Sequence, residues 1–148
     1  MNTSVLILDG DRWQRETLAA ALAYEGCHAE HMGDAATAMA LLARHRFQLV
    51  LIDPSAPATG GWEIIERLVL LYPRLPVIVL APSDAPARSA SLTGASSVIG
   101  KPMDFCILRS AIERALSIPA ETFIVRCIQR GAPPARHVFN ANGTTAPD

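Results

Sequence analysis

The sequence is short of lysine and cysteine, and it lacks any long apolar run. Lys101 is the only lysine among 13 basic residues. The 3 cysteines (Cys27, Cys106 and Cys127) contain no CxxC pair, which favours a reducing compartment over a disulfide framework. No segment approaches the roughly 18 apolar residues that cross a bilayer, and no basic stretch leads an apolar signal segment. We therefore predict a soluble, unexported, cytoplasmic protein that does not bind membranes.

Charge and composition exclude two further classes of protein. The net charge of −1 offers no basic stripe for nucleic-acid phosphates, so we expect no nucleic-acid binding by this chain. Hydrophobic residues make up 50% of the chain and charged residues 18%, which excludes disorder over most of its length. A chain of 148 residues is the size of one ordinary domain, with room for a short extra segment.

Short apolar runs predict the strands. Val5–Leu8, Leu49–Ile52 and Val77–Leu80 are apolar throughout, as expected for strands that are covered on both faces of a parallel sheet. Weaker strands are predicted over residues 27–30 and 97–99.

Helical spacing of apolar residues fills the intervals between the strands. Asp11 is expected to cap the first helix, with Gln14 completing a capping box. Cys106 is expected to be in the core, near the start of the last helix. The remaining helices are predicted from Asp34 to about Arg46, around Ile64–Leu71, over Ser83–Gly94 with poor helix-forming content, and up to about Leu116.

Five strands that alternate with five helices predict an α/β fold with a parallel sheet. In such sheets the functional site lies at the carboxyl ends of the strands. Asp9 and Asp11 follow the first predicted strand, Asp53 the third and Lys101 the fifth, so three distant segments bring carboxylates and one ammonium to one edge. This combination suits phosphoryl transfer to an aspartate, with the lysine and a divalent cation balancing the added charge.

Four segments carry a resemblance to a known family. They are VLILDGD at 5–11, LVLIDPSAPATGG at 49–61, PVIVLAPSD at 76–84 and GASSVIGKP at 94–102. In this order and spacing the chain resembles the response-regulator receiver family, the phosphoacceptor modules of two-component signalling. The resemblance covers about residues 4–116. It implies a flavodoxin-like, doubly wound fold with a five-stranded parallel sheet and five flanking helices.

The resemblance also implies roles for individual residues. Asp53 matches the phosphoacceptor, and Lys101 matches the family's invariant lysine, whose bond to Pro102 is then expected to be cis. Asp9 matches one of the acids that hold Mg²⁺, and Ser55 matches the position whose backbone carbonyl completes the metal shell. The implied metal site therefore comprises Asp9, Asp53 and Ser55.

Several positions depart from the family pattern. Gly10 stands where a second acidic metal ligand is usual, which predicts weak Mg²⁺ binding. Ala81 replaces a hydroxyl residue whose hydrogen bond to a charged group is worth roughly 1.5–3 kcal/mol, and Val98 replaces the aromatic residue of the conformational switch. Pro57 and Gly61 match the loop after the phosphoacceptor, whereas Pro82 and Gly60 depart from the pattern.

Some side chains have two readings. Asp53 and Lys101 act in phosphoryl transfer or form a purely structural ion pair. Asp11 caps the first helix or replaces the acid missing at Gly10. Trp13 lies over the pocket or is an exposed aromatic on the first helix. The four histidines (His28, His31, His45 and His137) show no ligand spacing, so we expect no zinc site.

The resemblance predicts a receiver module in a phosphorelay, and not an enzyme with a small-molecule substrate. Its partner would be a histidine kinase or phosphotransfer protein, with homodimer contacts through the last helices. The alternative is a pseudo-receiver that acts as an interaction or dimerisation module without phosphorylation. Residues 1–118 are predicted to form the receiver domain, and residues 119–148 a partly disordered extension or linker. Within it, residues 122–128 pack on the domain or on a second subunit, or begin a linker.

Overall fold

The computed structural model describes residues 2–55, 58, 60–81 and 95–117, together with the backbone of a two-residue strand at 138–139. The helix predicted over residues 83–94 lies outside the described residues. So do Pro57, Pro82 and the segment 122–128. The predictions that fall on them stay predictions.

The described residues form four helices and six strands. The strands are β1 (Ser4–Leu8), β2 (His28–Met32), β3 (Leu49–Ile52), β4 (Val77–Ala81), β5 (Ser97–Gly100) and β6 (Val138–Phe139). The helices are α1 (Arg12–Tyr24), α2 (Ala35–Arg44), α3 (Gly61–Leu71) and α4 (Phe105–Ser117). The four described helices and first five strands confirm the predicted alternation, with boundaries that differ by a few residues.

All strand pairs in the sheet are parallel, in the order β2-β1-β3-β4-β5-β6. The chain moves from β1 to one side to form β2, then returns past β1 to form β3. The crevice of an open α/β sheet lies at such a reversal, outside the carboxyl ends of the strands. The loops after β1 and β3 therefore border the expected site.

The core consists of two layers, one on each face of the sheet. Alternate side chains of a strand point to opposite faces, so Leu6 and Leu8 join one layer while Val5 and Ile7 join the other. Helices α2 and α3 cover the first layer, and α1 and α4 cover the second. Because both faces are covered, the strands can be apolar throughout, which confirms the doubly wound, flavodoxin-like fold.

Two details differ from the sequence-based expectations. Cys106 is exposed, so its predicted place in the core is wrong. It lies two positions before the buried Leu108, about 200° around the helix axis from that core-facing side chain. The sheet also carries a sixth strand, β6, which pairs with β5 through Val98–Val138 and Ile99–Phe139 and was not predicted.

None of the helices formed by the described residues combines the length and the apolarity that a membrane span requires.

Candidate functional site

Three strand ends hold the candidate site. The backbone N–H groups of Asp9, Asp53 and Lys101 each donate to a carbonyl of a neighbouring strand or its end, with N···O distances of 3.1, 2.9 and 2.8 Å. The sheet therefore fixes the backbone of each residue at the position from which its side chain extends. Lys101 also precedes a cis peptide bond to Pro102, as predicted.

The ammonium of Lys101 joins the two aspartates. Lys101 Nζ lies 3.2 Å from Asp9 Oδ2 and 2.5 Å from Asp53 Oδ2. Only 4% of Asp9 and 5% of Asp53 is exposed, whereas the Lys101 side chain is 21% exposed. Two buried carboxylates thus share one cation near the mouth of the crevice, and the structure brings together the three residues that the sequence singled out.

The second oxygen of each carboxylate accepts a backbone hydrogen bond. Asp9 Oδ1 accepts from the N–H of Asp11, and Asp53 Oδ1 accepts from the N–H of Ser55, both at 2.8 Å. Each carboxylate therefore has one oxygen on Lys101 and one on the following loop. Burial by itself would raise the pKa of Asp53, but hydrogen bonds from Lys101 and Ser55, together with the charge of Lys101, outweigh it and hold that pKa below its usual range.

This lowered pKa predicts a specific loss of stability in acid. A carboxylate whose pKa is lower in the folded state stabilises the fold above its unfolded-state pKa, and that contribution disappears as the pH falls through the folded-state value. We expect the free energy of unfolding to fall more steeply below about pH 4 in the wild type than in Asp53→Asn. Urea unfolding between pH 6 and pH 3 measures both slopes, and equal slopes would contradict the assignment.

Gln14, in the first turn of α1, has a different hydrogen-bond partner from the one that the sequence predicts. Asp11 caps the helix, since its side chain accepts the N–H of Gln14 at 3.1 Å, which confirms the capping interpretation. The second half of the predicted capping box, a hydrogen bond from the N–H of Asp11 to the side chain of Gln14, is wrong. The N–H of Asp11 is taken by Asp9, and Gln14 Oε1 accepts from Lys101 Nζ instead. An ammonium within reach is a stronger donor than a backbone amide.

Arg15 is a second residue that sequence reasoning did not identify. Its Nη1 donates to the backbone carbonyl of Asp9 at 3.2 Å. A Cβ added at Gly33 would come within 3.1 Å of the same nitrogen, so the guanidinium lies close against the backbone after β2. Arg15 therefore braces the loop that carries Asp9. The sequence signal that could have identified Arg15 was its position one helical turn after Asp11.

A groove of about 680 Å³ opens beside the ion cluster. Asp9, Gln14 and Lys101 line its polar end, and its apolar wall comes from α1 and from the segment that leads from Pro102 into the start of α4. Trp13 also lines the groove, although 76% of its surface is exposed. Trp13 is therefore an exposed aromatic on α1, which confirms the second reading, and it stands at the border of the groove.

The departing positions have clear structural surroundings. Ala81 is the last residue of β4, is buried, and its carbonyl accepts the N–H of Lys101. Its side chain is a methyl group at the position where the family pattern has a hydroxyl. Val98 is buried in the core layer under α2 and α3 and has no ring to reorient. Gly60 has a φ of +86°, a backbone conformation that is strained for an acidic residue.

The residues fit a weak magnesium site. Asp9 and Asp53 both contact Lys101 Nζ through one oxygen, so their carboxylates lie close together, and Mg²⁺ in proteins is commonly bound by one or two carboxylates, phosphate oxygens and waters. Ser55, two residues after Asp53, is exposed. Among the described residues, no three histidine, cysteine or acidic side chains gather as a metal-binding group. Gly10 leaves the donor set with two carboxylates.

Restoring an acid at position 10 is expected to strengthen magnesium binding. The left-handed glycines among the described residues are Gly26, Gly60 and Gly61, so the backbone at Gly10 accepts other residues without that strain. Gly10→Asp adds an anionic ligand and should lower the Kd for Mg²⁺ about tenfold. Fluorescence of Trp13 in a Trp62→Phe background measures it. Gly10→Asn is the matched neutral control, and equal affinities of the two variants would contradict the site.

Comparison with known proteins identifies the class. Residues 5–113 match the response regulator receiver domain. The DNA-binding transcriptional regulator NtrC of Azospirillum brasilense is 32% identical over 116 residues, which cover 77% of this chain and 24% of that protein. The probable transcriptional regulatory protein TcrX of Mycobacterium tuberculosis is 34% identical over 101 residues, covering 67% and 43%. This chain therefore spans less than half the length of either relative.

A solved structure agrees with these relatives. The signal receiver domain of a signal transduction histidine kinase from Syntrophus aciditrophicus aligns with a TM-score of 0.72 at 27% identity, covering 78% of this chain and 90% of that one. The chain belongs to the response regulator receiver domain family. It is a receiver module of two-component phosphorelay signalling, with the fold that the sequence predicted.

Proposed function

We propose that Asp53 is the phosphoacceptor of this receiver and that Lys101 is its charge partner. The observation that carries the proposal is the single ammonium that contacts Asp53 and Asp9 at the carboxyl ends of the strands. A buried carboxylate whose pKa is held low is ionised at neutral pH, as a nucleophile must be.

The reaction transfers a phosphoryl group to the carboxylate. An oxygen of Asp53 forms a bond to phosphorus as the bond between phosphorus and the donor atom breaks, and the donor leaves with the bonding electron pair. The product is an acyl phosphate whose extra negative charge lies beside the ammonium of Lys101. A fixed cation at the place where charge develops lowers the barrier without reorganisation of solvent.

Mg²⁺ would be held by the carboxylates of Asp9 and Asp53 and by the backbone carbonyl of Ser55. When bound, it supplies charge neutralisation and alignment of the phosphoryl oxygens. With one carboxylate fewer than the family pattern, we expect this chain to depend more on Lys101 than on the metal. The chain's own residues fix the nucleophile, because the N–H groups of Asp11 and Ser55 hold both carboxylates in place.

The donor would be the phosphohistidine of a histidine kinase or of a phosphotransfer protein. The groove beside Trp13 leads to Lys101 and Asp9 and is open to an incoming side chain. Ala81 and Val98 remove the hydroxyl and the aromatic ring through which receivers of the family change shape. We therefore expect phosphorylation to proceed without the usual conformational response.

Intact-mass measurement tests the proposal. After incubation with a small phosphoryl donor and Mg²⁺, the chain should gain one phosphoryl group that is stable in acid and lost in base. Peptide mapping should place it in the segment that contains Asp53. No adduct under conditions that label an ordinary receiver would contradict the proposal and favour a module that binds a partner without phosphorylation.

A further inference from the structure

The ammonium of Lys101 has no spare hydrogen-bond donor. A lysine carries three N–H donors. Asp9 Oδ2, Asp53 Oδ2 and Gln14 Oε1 all lie within hydrogen-bond distance of Nζ, so each N–H has an acceptor. A phosphoryl oxygen on Asp53 can therefore gain a bond from Lys101 only if one of these three acceptors gives up its own.

Gln14 is the acceptor that can give way at least cost. Both carboxylates are buried and each is also fixed by a backbone N–H. Asp9 keeps its charge throughout, whereas the Asp53 oxygen that faces Lys101 loses its charge when the acyl phosphate forms but stays buried away from water. Gln14 is neutral and exposed, so its amide can bond to water after it leaves Lys101. Hydrogen bonds to charged acceptors are roughly twice as strong as those to neutral ones. In the resting pocket the hydrogen bond to Gln14 is accordingly the weakest of the three, and after phosphorylation it remains the one whose loss water can replace.

We propose that Gln14 is a positioning residue that holds Lys101 in the resting pocket and is displaced by the phosphoryl group. This inference rests on the proposed function of Asp53. Gln14 and Trp13 are neighbours in the first turn of α1, and both line the groove. Displacement of the amide therefore changes the polar end of the groove directly. It gives this receiver a local response that requires neither a hydroxyl at Ala81 nor a ring at Val98.

The contact between Gln14 and Lys101 in the unphosphorylated protein can be tested on a single NMR signal, because Lys101 is the only lysine. In ¹⁵N-lysine protein, the ammonium should give one cross-peak, protected from exchange by its three acceptors. Gln14→Met removes one acceptor at similar length, and its ammonium protons should exchange several-fold faster. Gln14→Glu should keep the protection. Both variants retain the backbone N–H that Asp11 caps. Identical exchange in wild type and Gln14→Met would overturn the proposal.

The displacement itself is tested by the phosphorylation rate and by Trp13 fluorescence in a Trp62→Phe background. An ionised acceptor should hold Lys101 more firmly, so Gln14→Glu should be phosphorylated about tenfold more slowly, while Gln14→Met should be phosphorylated at least as fast as wild type. Phosphorylation should change Trp13 emission in the parent and much less in Gln14→Met. Equal rates in all three, or an equal emission change, would overturn the displacement.

The two proposals fail in different ways. A wild-type chain that gains no phosphoryl group would refute the role of Asp53 and with it the displacement, even if the lysine cross-peak showed the resting contact. A wild-type chain that is phosphorylated, with lysine exchange that does not respond to Gln14→Met, would refute only the role of Gln14.

Discussion

Replacement of Asp53 by asparagine is expected to abolish phosphoryl incorporation completely. The amide preserves the shape of the side chain but has no ionised oxygen to attack phosphorus. It also replaces the ionised partner that lies 2.5 Å from Lys101 Nζ by a neutral amide, which leaves Asp9 as the anion that contacts the ammonium. Intact mass after treatment with a phosphoryl donor should show the unmodified chain alone.

Asp11→Asn is the matched control for that loss. It makes the same chemical change two residues from Asp9, and asparagine caps a helix as well as aspartate does. The variant should acquire the adduct at the wild-type rate, because the Asp11 side chain faces α1 and not Lys101. An adduct that persists at full rate in Asp53→Asn would place the phosphoryl group on another residue, with Asp9 the first candidate.

Replacement of Lys101 by methionine is expected to have the second largest effect. It leaves two buried carboxylates side by side without their cation, and breaking a buried ion pair in this way costs about 3 kcal/mol of unfolding free energy. Phosphorylation should also slow on the order of a hundredfold, because the fixed positive charge beside the new phosphoryl group is gone. Urea unfolding and adduct formation over time measure the two effects.

The pH dependence of the stability loss and a second variant that keeps the positive charge distinguish loss of the Lys101 charge from loss of packing. Without Lys101, burial and the neighbouring charge of Asp9 raise the folded-state pKa of Asp53, so the stability deficit should shrink as the pH falls from 7 to 5. Lys101→Arg keeps the charge and should recover most of the stability. Its planar fork cannot place one donor atom among three acceptors, so phosphorylation should stay impaired. A deficit independent of pH would indicate lost packing instead.

The main features of the fold and the site could be predicted from the sequence, because they depend on local pattern. A strand covered on both faces is apolar throughout, so the runs beginning at Val5, Leu49 and Val77 were unambiguous. Parallel strands bring their carboxyl ends to one edge of the sheet, so the proximity of Asp9, Asp53 and Lys101 could be predicted without knowledge of any side-chain contact.

The features that were missed depend on competition between partners in three dimensions. Gln14 has the spacing of a capping box, and only the nearness of Lys101, 87 positions away, decides that its side chain bonds to the ammonium. Arg15 braces a loop that precedes its own helix. Cys106 is apolar enough for a core but lies on the wrong side of α4. β6 has two residues, too few to show a period.

The pairing of β6 with β5 has a consequence for shortened versions of the chain. A strand at the rim of a sheet displays unpaired N–H and C=O groups, and these act as a template for strands of other molecules. Here the backbone at 138–139 takes up that position along Val98 and Ile99. A truncation after Ser117 would remove β6 and expose the edge of β5, so we expect the shortened receiver to associate edge to edge more readily than the full chain.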